Sequence, residues 1–187
     1  MVDERGRGAR PGSVVDEREP VFDPREILRS LTEHRVEFIV VGGLAVQVHG
    51  YMRATRDLDV VPAPDMLNLT RLGEALADME ARLLRAEPPV DVTDPQRLKR
   101  APFVPLMTRY GRLDILHHEL TQGTSGGYDK LRENVVVVTL KNFEVAIAGL
   151  DDLIRMKRAT EREQDIADIG ALTRTEAQLD REVAEST

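Results

Sequence analysis

The chain has 187 residues, a formal net charge of −7 and no cysteine. Disulfides and thiolate metal sites are therefore excluded, and any metal must be held by oxygen or imidazole ligands. The acidic balance argues against a general nucleic-acid coat protein but leaves room for a local basic patch.

The two chain ends differ in composition from the middle. Residues 1–20 are charged, rich in Gly, Pro and Arg, and contain no apolar run, which is typical of a disordered arm and not of a secretory signal. We expect one domain with a single hydrophobic core at residues 21–174 and a polar tail at residues 175–187. No segment reaches the roughly 18 apolar residues that cross a bilayer. The sequence therefore predicts a cytoplasmic protein without a membrane segment.

Apolar periodicity predicts two helices in the N-terminal half. The first begins at Pro24 with Asp23 as its N-cap, and Ile27, Leu28 and Leu31 share one face. The second covers residues 65–79, capped by Asp65. Its apolar positions are Leu67, Leu69, Leu72, Leu76 and Met79.

Two short runs rich in Val, Ile and Leu, at residues 37–41 and 57–61, predict buried strands. The pair Gly42-Gly43 ends the first strand, and a brief helix at residues 44–49 follows it. Gly50 is placed to close that helix as a left-handed C-terminal residue.

The C-terminal half is predicted to contain two hairpins. One pairs residues 103–108 with 112–117, and the other pairs 135–140 with 143–148. Residues 86–102 carry four prolines and predict a mobile loop near a substrate, with one basic turn after Asp94-Pro95. The remaining predicted elements are a short helix ending near Arg132 and two closing helices, at about 151–157 and 160–173.

Gly42 and Gly43 form the first candidate binding motif. A glycine-rich exit from a strand lets backbone N–H groups approach phosphate oxygens. A tight turn with no ligand remains the alternative for the Gly pair.

Asp57 and Asp59 are spaced by two on a predicted strand, so their side chains point to one face. Two half-buried acids repel each other unless a cation neutralises them. Carboxylates with substrate phosphates are the ligands of Mg²⁺. A solvated edge strand is the alternative.

Asp114 is a third acid, within the apolar run Leu113–Leu116. On a strand beside the first two acids it could complete the metal shell and accept or orient the proton of an attacking hydroxyl. The alternative is an outward-facing sheet residue.

Together these residues resemble a known signature. A Gly pair, thirteen residues, Asp57-Leu58-Asp59 and a later strand Asp114 are similar to the DNA polymerase beta-like nucleotidyltransferase superfamily. The runs VGGLAVQVHGYMRATRDLDV and DLIRMKRATEREQDIADIGAL look most similar to small bacterial nucleotidyltransferases of the AbiEii and MenT toxin type. The resemblance covers residues 37–172 and implies an α/β (α+β) nucleotidyltransferase fold, a mixed, mostly antiparallel sheet with helices packed on it.

The resemblance implies a role for each matching residue of the signature. Gly42 and Gly43 would line the triphosphate, although many members have Ser at the second position. Asp57 and Asp59 would bind two Mg²⁺ ions, and Asp114 would complete the catalytic triad.

Three further residues are candidates for the nucleotide site. Lys157 falls where these enzymes carry a basic residue directed at the nucleotide, and Asp165 or Asp168 where an additional acid appears. Arg53 could clamp phosphate from the turn before the acids. The alternative for Arg53 is a solvated arginine in a turn. The alternative for Lys157, Asp165 and Asp168 is that they are solvated helix residues, with the acids paired to arginines along the helix.

The expected activity is Mg²⁺-dependent transfer of a nucleoside monophosphate from an NTP to a hydroxyl. By resemblance, the acceptor could be a tRNA 3′ end and the protein a toxin with a cognate antitoxin. The alternatives are adenylylation of a small molecule of the aminoglycoside type and a non-catalytic domain that binds a nucleotide or a partner.

Overall fold

The computed structural model describes residues 20–86, 90–117, 127–158, 168–170 and 173–174. The predicted N-terminal arm lies outside these residues except for Pro20, and so does the whole C-terminal tail. Most of the predicted last helix is also outside them, with helical backbone described at 168–170 and 173–174.

The described strands form one seven-stranded sheet in the order β3-β4-β5-β2-β1-β7-β6. Strand β1 pairs antiparallel with β2 and parallel with β7, and β2 pairs parallel with β5. The other three pairs are antiparallel. The predicted mixed, mostly antiparallel sheet is therefore confirmed. The strand bounds are β1 Phe38–Val41, β2 Asp57–Pro62, β3 Arg82–Leu83, β4 Phe103–Thr108, β5 Gly111–Leu116, β6 Val136–Leu140 and β7 Phe143–Ile147.

Helix starts follow the local capping chemistry. The Asp23 carboxylate accepts hydrogen bonds from the N–H groups of Arg25 and Glu26 at the start of α1, as predicted. Asp65 caps α3 and Asp94 caps α4 in the same way. The helices are α1 Pro24–Glu33, α2 Gly42–Val48, α3 Met66–Asp78, α4 Pro95–Arg100, α5 Gly127–Arg132 and α6 Leu150–Arg158.

Side chains of the central strands alternate between two faces. Leu58 and Val60 of β2 and Leu113 and Ile115 of β5 are fully buried in the hydrophobic core. The residues between them therefore point to the opposite face of the sheet. That face carries the acidic residues Asp57, Asp59 and Asp114.

The start of α3 differs from the predicted pattern. Leu67 is 62% exposed, whereas Asn68 is buried. The Asn68 amide accepts from the Glu37 N–H at 2.7 Å and donates to the carbonyls of Glu37 and Ala63, each at 2.9 Å. Asn68 thus ties α3 to the ends of β1 and β2, which apolar periodicity could not show.

The proline-rich segment is more ordered than the predicted loop. Its described part contains α4, whose Leu98 is buried, and the helix contacts α3. The Thr93 carbonyl lies so close to Gly73 that an added Cβ would be 2.2 Å away. This segment packs on α3, and the expectation of a loop at the substrate is not supported there.

Among the described helices, none has both the length and the apolar content needed to cross a membrane.

Candidate active site

The sheet brings the three predicted acids together. Asp57 and Asp59 lie on β2, and Asp59 is paired in register with Asp114 on the parallel neighbour β5. Paired residues of adjacent strands point to the same face. Both Asp57 and Asp114 act electrostatically on Asp59, so the three carboxylates form one cluster.

Asp59 is the most perturbed group of this cluster. Burial is the main cause that raises its pKa to about 7, followed by the negative charges of Asp57 and Asp114. A hydrogen bond from the Gly43 backbone N–H and the charge of Lys157 oppose the shift of the pKa. Near neutral pH the ionised form of Asp59 therefore gains most from an added cation.

Asp114 is buried, and both its oxygens are held by Arg112. The Arg112 Nε donates to Oδ1 at 3.0 Å and Nη2 donates to Oδ2 at 2.8 Å. Burial raises the pKa of Asp114, and the hydrogen bonds and charge of Arg112 lower it. Arg112 therefore favours the carboxylate form of Asp114.

Asp57 is half-buried at the start of β2 and is oriented by a neighbouring hydroxyl. The Thr55 Oγ1 donates to the Asp57 Oδ1 at 2.9 Å. The second carboxylate oxygen stays available for another partner. Neither Thr55 nor Arg112 was predicted from the sequence. Arg112 precedes Asp114 by two residues on β5, the spacing that places side chains on one strand face, whereas Thr55 lies before β2.

The Gly pair lies against the acids and Arg53. Gly42 has φ +64°, and an added Cβ would sit 1.9 Å from the Asp59 Oδ2. An added Cβ at Gly43 would be 2.7 Å from the Arg53 Nη2. The glycines allow a carboxylate and a guanidinium to approach the backbone. Helix α2 begins at Gly42 itself, earlier than the predicted residue 44.

Arg53, Lys157 and Asp168 form a second, buried cluster. Asp168 is fully buried; its Oδ1 lies 3.2 Å from the Arg53 Nε and its Oδ2 lies 2.6 Å from the Lys157 Nζ. Lys157 is only 8% exposed, so the interpretation of Lys157 and Asp168 as solvated helix residues is wrong. Asp165 lies outside the described residues.

The donor set of the acidic cluster fits a hard divalent cation, which prefers carboxylate oxygens. The observation behind this fit is the raised pKa of Asp59 between two other carboxylates. Within the described ranges, however, no three His, Cys, Asp or Glu side chains are arranged around a common metal position. One reason is that both oxygens of Asp114 are directed at Arg112.

The described histidines have structural contacts. The His49 ring Nε2 lies 2.9 Å from the Ala148 carbonyl oxygen, which links α2 to the segment after β7. His117 is buried just after β5, and its neighbours His118 and Glu119 lie outside the described residues.

A mixed sheet with two acids on one strand and a third on the parallel neighbour defines a protein of the nucleotidyltransferase fold. The chain belongs to the family described as nucleotidyltransferase of unknown function (DUF6036), whose model matches residues 25–183. The nucleotidyltransferase part of the predicted resemblance is thereby confirmed. Comparison with curated proteins gives no match.

The solved structures similar to this chain include two antibiotic-resistance proteins. The lincosamide antibiotic adenylyltransferase LnuA, crystallised with lincomycin, is 18% identical with a TM-score of 0.56, covering 82% of this chain and 98% of its own. The antibiotic-resistance factor ANT(2'')-Ia is 10% identical with a TM-score of 0.50, covering 86% of this chain and 90% of its own. At these identities the likeness concerns the fold alone.

Proposed function

We propose that this nucleotidyltransferase moves a nucleoside monophosphate from an NTP to an acceptor hydroxyl in a reaction that needs Mg²⁺. The observation that carries the proposal is the in-register pair of Asp59 and Asp114 beside Asp57. Three carboxylates clustered on one sheet face repel each other and are costly unless a cation neutralises them.

Asp57 and Asp59 would hold two Mg²⁺ ions, and Asp114 would join them once the Arg112 contact adjusts. When bound, the ions neutralise charge on the attacking oxygen, the phosphate and the leaving pyrophosphate. The acceptor oxygen forms a bond to the α-phosphorus as the bond to pyrophosphate breaks. Asp114 accepts the proton of the acceptor hydroxyl, which fits the carboxylate form that Arg112 favours.

The remaining nucleotide-site residues divide into contact and positioning roles. The backbone at Gly42 and Gly43 would approach the triphosphate, and Arg53 and Lys157 would supply positive charge beside it. Asp168 is buried behind these two cations. It would therefore orient both cations toward the nucleotide site.

For the acceptor, we propose an RNA with a free 3′ end, such as tRNA, used by a cytoplasmic toxin that has a cognate antitoxin. The support is the resemblance of two sequence runs to AbiEii- and MenT-type proteins. The second candidate is adenylylation of a small molecule, the activity named for LnuA, whose chain this fold covers almost completely. Incubation with α-labelled NTP and either tRNA or an antibiotic separates the two.

The test of the reaction uses Asp57→Ala and Asp59→Ala with α-labelled NTP and Mg²⁺. Both variants should lose transfer to the acceptor while keeping the circular dichroism of the wild type. Asp129→Ala, which removes an exposed acid on α5, is the matched control and should keep full transfer. Undiminished transfer by either site variant refutes the mechanism.

NTP binding addresses the non-catalytic alternative. Calorimetric titration of the wild type should show that NTP affinity depends on Mg²⁺. Binding without that dependence, together with absent turnover, would instead indicate a nucleotide-binding domain that performs no chemistry.

A further inference from the structure

A pocket of about 790 Å³ opens on the sheet face that carries the acids. Pro105 of β4, which lines it, is paired in register with Asp114, and Met107, which also lines it, is paired with Arg112. Arg112 itself lines the pocket and donates to Asp114. The pocket therefore adjoins the residue proposed to accept the proton of the attacking hydroxyl.

One side of this pocket is apolar and includes flat rings. Phe103 of β4 is 47% exposed, and Phe22 packs so closely on Gly111 that an added Cβ would be 2.9 Å from its ring. Leu84 and Pro105 continue the same wall. An exposed phenyl ring beside aliphatic side chains is a surface on which a planar base can stack.

The charged side chains that line the pocket are all positive. Arg56, Arg85 and Arg112 line it, and none of its described lining residues is acidic. Arg112 is paired with Asp114, whereas no described carboxylate lies within ion-pairing distance of Arg56 or Arg85. In a chain of net charge −7, such a local excess of guanidinium groups favours anionic ligands.

The sheet register extends this positive surface. Arg82 on β3 is exposed and lies opposite Met107 of β4 in the strand register. Met107 lies opposite Arg112 of β5, and Arg112 lies opposite Asp57 of β2. This row of the sheet runs beside the row that holds Pro105, Asp114 and Asp59. Arginines on β3 and β5 thus lie in the row next to Asp59 and Asp114.

We propose that this pocket binds the 3′ end of a single-stranded nucleic acid, with its last base against Phe103 and its phosphates on Arg56 and Arg85. The inference rests on the proposed function, because it places the 3′ hydroxyl beside Asp114. The pocket volume lies within the roughly 300–1,000 Å³ of ligand sites, and a polycationic aminoglycoside would meet three arginines instead of acids. The pocket would recognise the base, the phosphates and the 3′ hydroxyl, which RNA and DNA ends share.

The test measures binding without turnover. A short 5′-fluorescein-labelled oligonucleotide with a free 3′ end, as RNA or as DNA, is titrated with the full chain in metal-free buffer by fluorescence anisotropy. The double variant Arg56→Gln/Arg85→Gln should weaken binding by about tenfold and flatten its salt dependence. Phe103→Ala should weaken binding with little effect on the salt slope, because it removes stacking and no charge.

Two controls make the outcome specific to the pocket. Arg132→Gln removes an exposed arginine on α5, which does not line the pocket, and should leave oligonucleotide affinity unchanged. Kanamycin should not displace the oligonucleotide at low concentration. Equal losses in the double variant and the control, no binding by the wild type, or efficient displacement by kanamycin would overturn the assignment of the pocket.

Failure of this inference differs from failure of the proposed reaction. If the wild type transfers a nucleoside monophosphate to another acceptor but binds neither oligonucleotide, the reaction stands and the pocket assignment falls. If the pocket variants lose oligonucleotide binding while the wild type transfers nothing from any NTP, the pocket assignment stands and the reaction falls. Preference between the RNA and DNA arms identifies the natural strand.

Discussion

Arg112 holds both carboxylate oxygens of Asp114, through Nε at 3.0 Å and Nη2 at 2.8 Å. The two residues are two positions apart on β5, so the pair is formed on one face of one strand. The guanidinium is in contact with the acceptor pocket, and the carboxylate is beside Asp59. This pair therefore connects the surface that would receive the acceptor with the acids that would carry out transfer.

Replacing Arg112 should change the pH range of the reaction. In Arg112→Met the pKa of Asp114 rises, because the hydrogen bonds and positive charge that lower it are lost. Asp114 is then protonated at higher pH, and the acidic limb of transfer against pH should move upward. Rates across pH with saturating NTP measure the shift. Arg82→Met, on the same face but away from Asp114, should not move that limb, and an unmoved limb in Arg112→Met would contradict the role.

Asp59 should make the metal-free protein less stable as the pH rises. Its pKa is 3.8 ordinarily and about 7 in the folded chain, so between these values the folded state holds a proton that the unfolded state has released. Unfolding free energy then falls with rising pH, by up to about 1.4 kcal/mol per unit from this group. Above about pH 7 this loss is complete.

The variant Asp59→Asn tests that dependence. Urea unfolding from pH 4 to 8 in the presence of a chelator should give a flatter stability profile than the wild type, with the largest gain at pH 8. Asp129→Asn serves as the exposed control and should follow the wild type. A wild-type profile that rises between pH 4 and 7 with the slope unchanged in Asp59→Asn would show that Asp59 is ionised in the fold.

Local signals were sufficient to predict most elements. The Asp23-Pro24 cap, the turn at Tyr110-Gly111 and the hairpin across residues 141–142 all have side-chain or backbone chemistry that acts within a few residues. Pairing between distant strands has no such signal. The parallel pairing of β2 with β5 depends on packing across the whole sheet, and the sequence predicted only that the strand of Asp114 lies beside the first strands.

The residues of the site also differ in whether local sequence signals could predict them. The spacing of Asp57 and Asp59 predicts a shared face from strand geometry alone, and the structure places Asp114 beside them as expected from the resemblance. Arg112 could have been found by applying the same two-residue rule to β5. The burial of Asp168 could not, because the residues that cover it come from distant parts of the chain and helix acids are ordinarily exposed.

The buried carboxylate of Asp168 should contribute strongly to stability. Asp168→Asn removes the negative charge facing Arg53 and Lys157, and leaving buried cations without it should cost about 3–5 kcal/mol. Chemical denaturation of the full chain measures the loss. Asp151→Asn changes an exposed acid on α6 and should stay within about 0.5 kcal/mol of the wild type. A similar small effect in Asp168→Asn would show that the cations are solvated when the charge is removed.

Gly42 should be required because only a residue without a side chain leaves room for the Asp59 carboxylate. This steric requirement is separate from the positive φ of Gly42. In Gly42→Ala the new methyl group would lie 1.9 Å from the Asp59 Oδ2, so the carboxylate must move and transfer activity should fall by at least about a hundredfold. Gly50→Ala is a matched control, since Gly50 also has a positive φ but an added Cβ meets nothing within 4 Å. It should cost about 1 kcal/mol of stability from backbone strain and keep its activity. Equal activity in the two variants would mean that Asp59 can be displaced without consequence, which contradicts its proposed role at the metal site.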